Sequence, residues 1–221
     1  MAKPREGLPG NSGHMHVSLV SEDGKNLFFR DTPDPSPPYP EVTHLSDIGR
    51  QFLAGVLVGL PDVMPLFAPT INSYKRLVEN FWAPVTVSWG LEHRTASIRL
   101  ICPPTCSPKA TRLEVRVPGA DVNTHYTLAA ILALGLYGIE NKLDIPVPPL
   151  GKGENMGSVN DKGERLAKTL AEANARFSRP ESVARKVLGD AFVNHFSGTR
   201  DHEVALWQEA VTDWYAPFLP Y

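Results

Sequence analysis

Arg112-Leu113-Glu114-Val115-Arg116-Val117 is the stretch on which the fold turns. Side chains on a strand alternate faces, so Leu113, Val115 and Val117 share one side and Arg112, Glu114 and Arg116 the other. The apolar row needs a core. The charged row sets one carboxylate between two guanidinium groups, which suits an anion that carries a metal, such as a nucleotide phosphate with its magnesium. Alone, the hexapeptide reads first as an amphipathic strand with a solvated salt-bridge ladder, because exposed charged faces are common.

Outward from the hexapeptide, Val85-Thr86-Val87-Ser88-Trp89 and Ala96-Ser97-Ile98-Arg99-Leu100-Ile101 read as strands. So does His14-Met15-His16-Val17-Ser18-Leu19-Val20, ending before the turn at Asp23-Gly24, with His14, His16 and Ser18 on one face. Ser46 is a helix N-cap, and the following helix runs to about Leu60, where Pro61 stops it. Its stripe Ile48, Phe52, Val56 and Leu60 has helical spacing and is core. Residues Asn123 to Leu143 read as a long Ala/Leu-rich helix in which Gly135 and Gly138 permit close packing. A Pro/Gly-rich loop from Pro146 to Gly153 follows. After it come helices over about Lys162 to Phe177, past Pro180 through Leu188, and from about Arg200 to Trp214. Strands first and helices later predict an α+β fold. The expected division is a sheet-rich part over 1–145, a loop over 146–162 and C-terminal helices over 163–221, all in one domain.

The 221 residues carry a formal net charge of −2, which argues against a nucleic-acid or membrane-surface binder. Hydrophobic content of 42% supports a sizeable core. No apolar run approaches the roughly 20 residues that span a bilayer. The N-terminus has no apolar signal core, so a cytoplasmic location is expected. Cys102 and Cys106 permit a disulfide, with free thiols in a reducing compartment preferred and zinc only weakly signalled.

Two strand faces offer donors for one site: His14, His16 and Ser18, and Arg112, Glu114 and Arg116. Two or three protein ligands do not make a tight metal cage, but a metal bridging to substrate phosphates needs few. Residues 75–116 hold seven basic side chains against three acidic ones: Lys75, Arg76, Arg94, Arg99, Lys109, Arg112 and Arg116 against Glu79, Glu92 and Glu114. Such an excess suits carboxylate and phosphate binding and phosphoryl transfer; a plain basic surface patch fits the composition as well. There is no P-loop, so a bound nucleotide would need another fold.

Several ordered motifs carry a resemblance. They are Lys3-Pro4, Gly10-Asn11-Ser12-Gly13, His14-x-His16-x-Ser18, Asn72-Ser73-Tyr74-Lys75-Arg76-Leu77-Val78 and Arg94-Thr95-Ala96-Ser97-Ile98-Arg99. Ser107-Pro108-Lys109-Ala110-x-Arg112-Leu113-Glu114-Val115-Arg116 and Gly138-Ile139-Glu140-Asn141-Lys142 complete the set. The chain resembles the C-terminal part of the catalytic domain of a type I glutamine synthetase. That resemblance implies a curved, mostly antiparallel sheet with flanking helices and a C-terminal helical segment. It implies an ATP-dependent ligase of nitrogen metabolism, in which glutamate takes the γ-phosphate and ammonia or another amine displaces it. It implies Mg2+ or Mn2+ as cofactor and assembly into a homo-oligomer where the family's N-terminal domain is present.

By position in the motifs, His14 and Glu114 resemble metal ligands. His16, Ser18, Lys109 and Arg112 resemble nucleotide contacts, and Arg76 and Arg116 resemble clamps on the glutamate carboxylates. Arg94 and Arg99 resemble residues beside the transferred phosphoryl group and the ATP, and Asn11 and Gly13 resemble the glutamate-binding loop, shortened here before His14. The match begins inside the family's catalytic domain, so the β-grasp domain and the second metal's acidic ligands are expected outside these residues, and the chain alone is expected to lack a complete site. The family's usual Glu, six residues after the motif arginine, is Trp82 here, in Glu79-Asn80-Phe81-Trp82-Ala83-Pro84. A Trp cannot act as a base, though its face can hold a cation. An amine other than ammonium is one expectation, and a non-catalytic relative kept for nucleotide binding or assembly is the alternative. A guanidino phosphotransferase shares the general sheet architecture, but the ordered motifs argue against it.

Overall fold

Four short strands make one sheet in the computed structural model, which describes residues 1–79, 81–151 and 163–212. They are β1 (Met15–Val17), β2 (Trp89–Leu91), β3 (Ile98–Ile101) and β4 (Arg112–Val115), in the order β1-β4-β3-β2. The opening hexapeptide therefore supplies an inner strand, antiparallel to both β1 and β3, while β2 runs parallel to β3. Two antiparallel pairings and one parallel pairing, flanked by helices, make the fold α+β. On the apolar face Leu113, Val115, Ile98 and Leu100 are wholly buried. The other face carries the row His16, Glu114, Arg99, because His16 pairs with Glu114 and Glu114 with Arg99 in register.

The strands are shorter than expected. β1 stops at Val17 rather than Val20. The expected strand over 85–89 enters the sheet only at Trp89. Its first residues instead pair with a distant stretch: Val87 N donates to Glu164 O at 2.8 Å, Leu166 N donates to Val85 O at 2.9 Å, and Thr86 bridges Arg165. Alternation marks a β conformation but not which neighbour will hydrogen-bond it.

Helix α1 (Asp47–Gly59) starts where Ser46 Oγ accepts from Gly49 N at 3.0 Å. Pro61 changes the helix type rather than stopping the rod: a 3-10 turn (Leu60–Val63) leads into α2 (Met64–Phe67), followed by α3 (Ile71–Tyr74). Asp47–Phe67 thereby reaches 21 residues and an apolar composition of membrane-spanning length, correcting the expectation that no run comes near it. In its apolar window 83% of the residues are buried against the rest of the fold, which marks a core rod. Helix α4 (Thr124–Glu140) is capped by Asn123, whose Oδ1 accepts from His125 N at 3.0 Å. It lies directly on α1 through glycines: a Cβ on Gly55 would meet Leu134 O at 2.1 Å, and one on Gly138 would meet Gln51 O at 2.1 Å.

Three more helices follow: α5 (Leu170–Ser178), α6 (Val183–Leu188) and α7 (Asp190–Glu209). Helix α5 begins later than expected, at a Thr169 cap whose Oγ1 accepts from Glu172 N at 3.1 Å. The expected start near Lys162 and end at Trp214 lie outside the described residues. Helix α7 starts ten residues before Arg200, directly after Gly189, whose φ of +82° ends α6 without a loop. These helices share one hydrophobic cluster with the sheet and with α1, from Val17 to Val193. Asp62, 2% exposed, pins them to the end of α1 by accepting from Arg176 Nε at 2.7 Å, Arg179 Nη2 at 3.1 Å and Val183 N at 2.7 Å.

Candidate active site

Glu114 is the centre of the polar sheet face. Strand alternation aims it away from the core, yet it is 3% exposed, because cations close over it. Its Oε1 lies 2.9 Å from His14 Nδ1, 2.6 Å from Arg116 Nη1 and 4.0 Å from His16 Nε2. Its Oε2 accepts from Arg99 Nη1 at 3.1 Å. The solvated-ladder reading fails here: Glu114 and Arg116 are both buried, and only Arg112 of the three is partly open.

Arg112 Nε donates to His16 Nδ1 at 3.0 Å and its Nη1 to Ala110 O at 2.8 Å, which holds it across to β1. Among the described residues the buried Arg116 Nε has no hydrogen-bond partner, an orphaned donor beside Glu114. An unpaired buried donor costs about 1–3 kcal/mol, which is tolerable where a ligand supplies the acceptor.

The electrostatics favour an anion. Burial pushes the Arg116 guanidinium down from its ordinary range, Glu114 pulls it up, and Arg99 and Arg94 repel it. Burial lowers His14 as well, with Arg116 adding to the effect and Glu114 opposing it. Burial alone would raise the Glu114 carboxyl, but Arg116, Arg99 and His14 outweigh it and hold it low. A neutral imidazole beside an ionised carboxylate is the protonation state that a divalent cation needs. The donor set is partial, since the described residues contain no group of three or more His, Cys, Asp or Glu able to hold a metal. His14 and Glu114 therefore fit such an ion only if phosphate oxygens and water complete its shell.

The remaining sequence candidates lie at different depths. Arg94 is exposed and makes no hydrogen bond or ion pair among the described residues, but it is close enough to repel Arg116. Ser18 lies just beyond β1 and Lys109 in a 3-10 turn (Pro108–Ala110), both exposed. Asn11 and Gly13 run beside the residues after β4: Gly13 N donates to Pro118 O at 2.9 Å, and Ala120 N to Asn11 O at 3.3 Å. Arg76 is buried, yet its charge is felt by His14 and Arg116. It is 4% exposed and spends Nη1 on Val117 O at 2.7 Å and Nη2 on Arg116 O at 3.1 Å, so here it props up the end of β4. Burial lowers its pKa to about 10, and it stays charged at neutral pH.

Three acidic residues brace the site and the fold although the sequence assigns them no role. Asp121 accepts from Ser73 Oγ at 2.9 Å and Thr70 Oγ1 at 3.2 Å, fastening the Asn72-Ser73 motif beneath Gly119. Asp62 anchors the C-terminal helices. Glu92 grips Arg99 through Nε at 2.8 Å and through Nη2. Their partners are distant in sequence or across a turn, so no local spacing announces them. Cys102 and Cys106 are both free thiols, and burial pushes Cys102 up to about 12. Trp82 is 70% exposed and adopts a φ of +55°, a backbone region rare for a bulky residue.

The profile of the family described as "Glutamine synthetase, catalytic domain" matches residues 1–217. Type-1 glutamine synthetase 2 of Dictyostelium discoideum is 45% identical over 217 residues, covering 97% of this chain and 39% of the relative. A glutamate–isopropylamine ligase of a Pseudomonas species is 37% identical over 214 residues, covering 97% and 44%. The gamma-glutamylethanolamide synthetase GlnA4 of Streptomyces coelicolor is 36% identical over 214 residues, covering 97% and 42%. A solved GmaS/ADP complex superposes with a TM-score of 0.79 at 31% identity, covering 99% of this chain and 48% of that chain. The chain thus spans less than half the length of these relatives.

Proposed function

The chain belongs to the glutamine synthetase catalytic-domain family, and on that premise we propose that it carries the nucleotide- and glutamate-facing part of an ATP-dependent glutamate–amine ligase. The observation that carries this is the buried Glu114, ringed by His14, Arg99 and Arg116, with an orphaned Arg116 Nε–H beside it. In the proposed reaction the γ-carboxylate of glutamate attacks the γ-phosphorus of ATP, ADP leaves, and γ-glutamyl phosphate forms. The amine nitrogen then attacks the γ-carbonyl carbon, phosphate departs with the C–O bonding pair, and the nitrogen sheds a proton.

The residues of this chain bind and orient. Arg116 holds a glutamate carboxylate through its free Nε–H. Arg94 and Arg99 lie where negative charge builds on the transferred phosphoryl group, and fixed cations there lower the barrier without reorganising. Arg112, Lys109, His16 and Ser18 line the approach for the nucleotide. His14 and Glu114 would hold magnesium or manganese, which would supply positive charge to neutralise the phosphate. Arg76 is held by the carbonyls of Arg116 and Val117 through two of its five N–H donors and adds positive charge near His14 and Arg116, where a glutamate carboxylate would bind.

The amine is proposed to be organic. Trp82 has no proton to take or give at neutral pH, and its exposed face suits an alkylammonium. One of the relatives is named for joining isopropylamine to glutamate and another for making gamma-glutamylethanolamide, which supports the same choice. The test is phosphate release by the intact protein with glutamate, ATP and a panel of amines. Turnover with an organic amine above that with ammonium is the expected result, and ammonium exceeding every organic amine overturns it. The partial donor set among the described residues, with Trp82 where the family usually has Glu, favours a second reading, a nucleotide-binding relative without turnover. Metal-dependent ATP turnover that Glu114→Ala abolishes rules that reading out.

A further inference from the structure

Glu92 stands where glutamate is unexpected. Its φ of +55° lies in the left-handed region that favours glycine and asparagine. It directly follows β2, and its N–H donates to Leu100 O at 2.9 Å, so it is the point where the chain leaves the parallel pair and swings back through residues 92–97 to start β3. A non-glycine residue held there costs about 1–2 kcal/mol, and such strain persists where the surroundings over-determine it. The side chain is what over-determines it. Oε2 accepts from Arg99 Nε at 2.8 Å and also from Nη2, while Oε1 accepts from Thr105 Oγ1 at 2.9 Å. Thr105 is itself held to Cys102 O at 2.7 Å. Both carboxylate oxygens of Glu92 are therefore committed.

The consequence falls on Arg99. A guanidinium is a rigid planar fork, so fixing its Nε–Nη2 edge fixes the whole plane. With that edge on Glu92, Arg99 reaches Glu114 through Nη1 alone, at 3.1 Å. Freed from Glu92, it would turn and close a two-pronged pair on Glu114, the stronger geometry, and draw that carboxylate away from His14. We propose that Glu92 is a positioning residue that holds Arg99 edge-on. It thereby keeps Glu114 available to His14 and leaves Arg99 facing the anionic group that reacts beside them. This inference rests on the ligase reading above for its catalytic consequence and not for its geometry.

The test uses two variants of the intact protein. Glu92→Gln keeps the shape and removes the charge. Glu92→Asn accepts the left-handed backbone and is too short to reach Arg99 in the same way. Both are expected to lower kcat about 10–100-fold, the range for residues that orient a ligand from behind, with KM for ATP moving less than about threefold. In an Arg99→Ala background, Glu92→Gln is expected to cost nothing further. Equal losses in both backgrounds, or an unchanged kcat with a lowered melting temperature, would overturn the proposal. The second arm does not depend on activity: the Arg99 Nε–H resonance should lose its exchange protection in Glu92→Asn. Protection that persists unchanged overturns the positioning role even for a protein that turns over no amine. Absence of product from wild type with lost protection overturns the ligase reading alone.

Discussion

At the residue scale, His14 and Glu114 make stability depend on pH in one direction. Each has a folded pKa below its ordinary value: burial and Arg116 lower His14, while Arg116, Arg99 and His14 hold Glu114 down against the effect of burial. The unfolded chain then binds more protons than the folded one, so stability is complete above the unfolded pKa and is lost as pH falls. In chelator-containing buffer the urea midpoint should be flat above about pH 7. It should begin to drop near the ordinary histidine value of 6.5, and drop again below the ordinary glutamate value of 4.5. His14→Gln should remove the upper phase. A midpoint that rises between neutrality and pH 5, or a variant that keeps the upper phase, contradicts the assignment. The same two side chains show why the hexapeptide was ambiguous. Arg112-x-Glu114-x-Arg116 carries equal chemistry on a wet or a dry face, and only burial separates the two.

At the element scale, α1 lies close on α4, and the contact is made by the absence of side chains. Gly55 and Gly138 sit Cα against backbone, where an added Cβ meets a carbonyl oxygen at 2.1 Å. Backbone cannot step aside as a flexible side chain can, so Gly55→Ala and Gly138→Ala should each cost about 1–3 kcal/mol or more by forcing the helices apart. Gly198, exposed in α7 with nothing within 4 Å of an added Cβ, is the contrasting case. Gly198→Ala should gain about 0.5–1 kcal/mol from helix propensity. Thermal unfolding of the three variants checks both signs at once. The role of Gly138 was legible, since a glycine pair inside an Ala/Leu helix signals contact. Its partner Gly55 was not, because a helix pattern does not say which helix lies opposite.

At the scale of the whole molecule, Asp62 ties the C-terminal helices to the rod that backs the sheet. It is nearly wholly buried, whereas Arg176 and Arg179 are partly exposed. Asp62→Ala should therefore cost about 2–3 kcal/mol, short of the loss for a fully buried pair. Hydrogen exchange should speed up over α5 and α6 before β3 and β4. Uniform acceleration across the chain would mean that the helices are not a separable layer. What the sequence by itself determined is local. Strand alternation sets which side of β4 is charged, capping residues set where α1 and α4 begin, and the ordered motifs set the family. The tertiary structure alone decided which strands pair, that Val85 and Val87 bond to residues 164–166 rather than to β3, and that α7 begins at Asp190. It also decided that Arg76 bonds the carbonyls of Arg116 and Val117, that Glu92 grips Arg99 and that Asp62 holds the C-terminal helices. The physical reason is the same in each case. Hydrogen bonds and ion pairs between residues far apart in the chain leave no period in the sequence, and burial, which turns a surface carboxylate into the centre of a site, is a property of what the rest of the chain places above it.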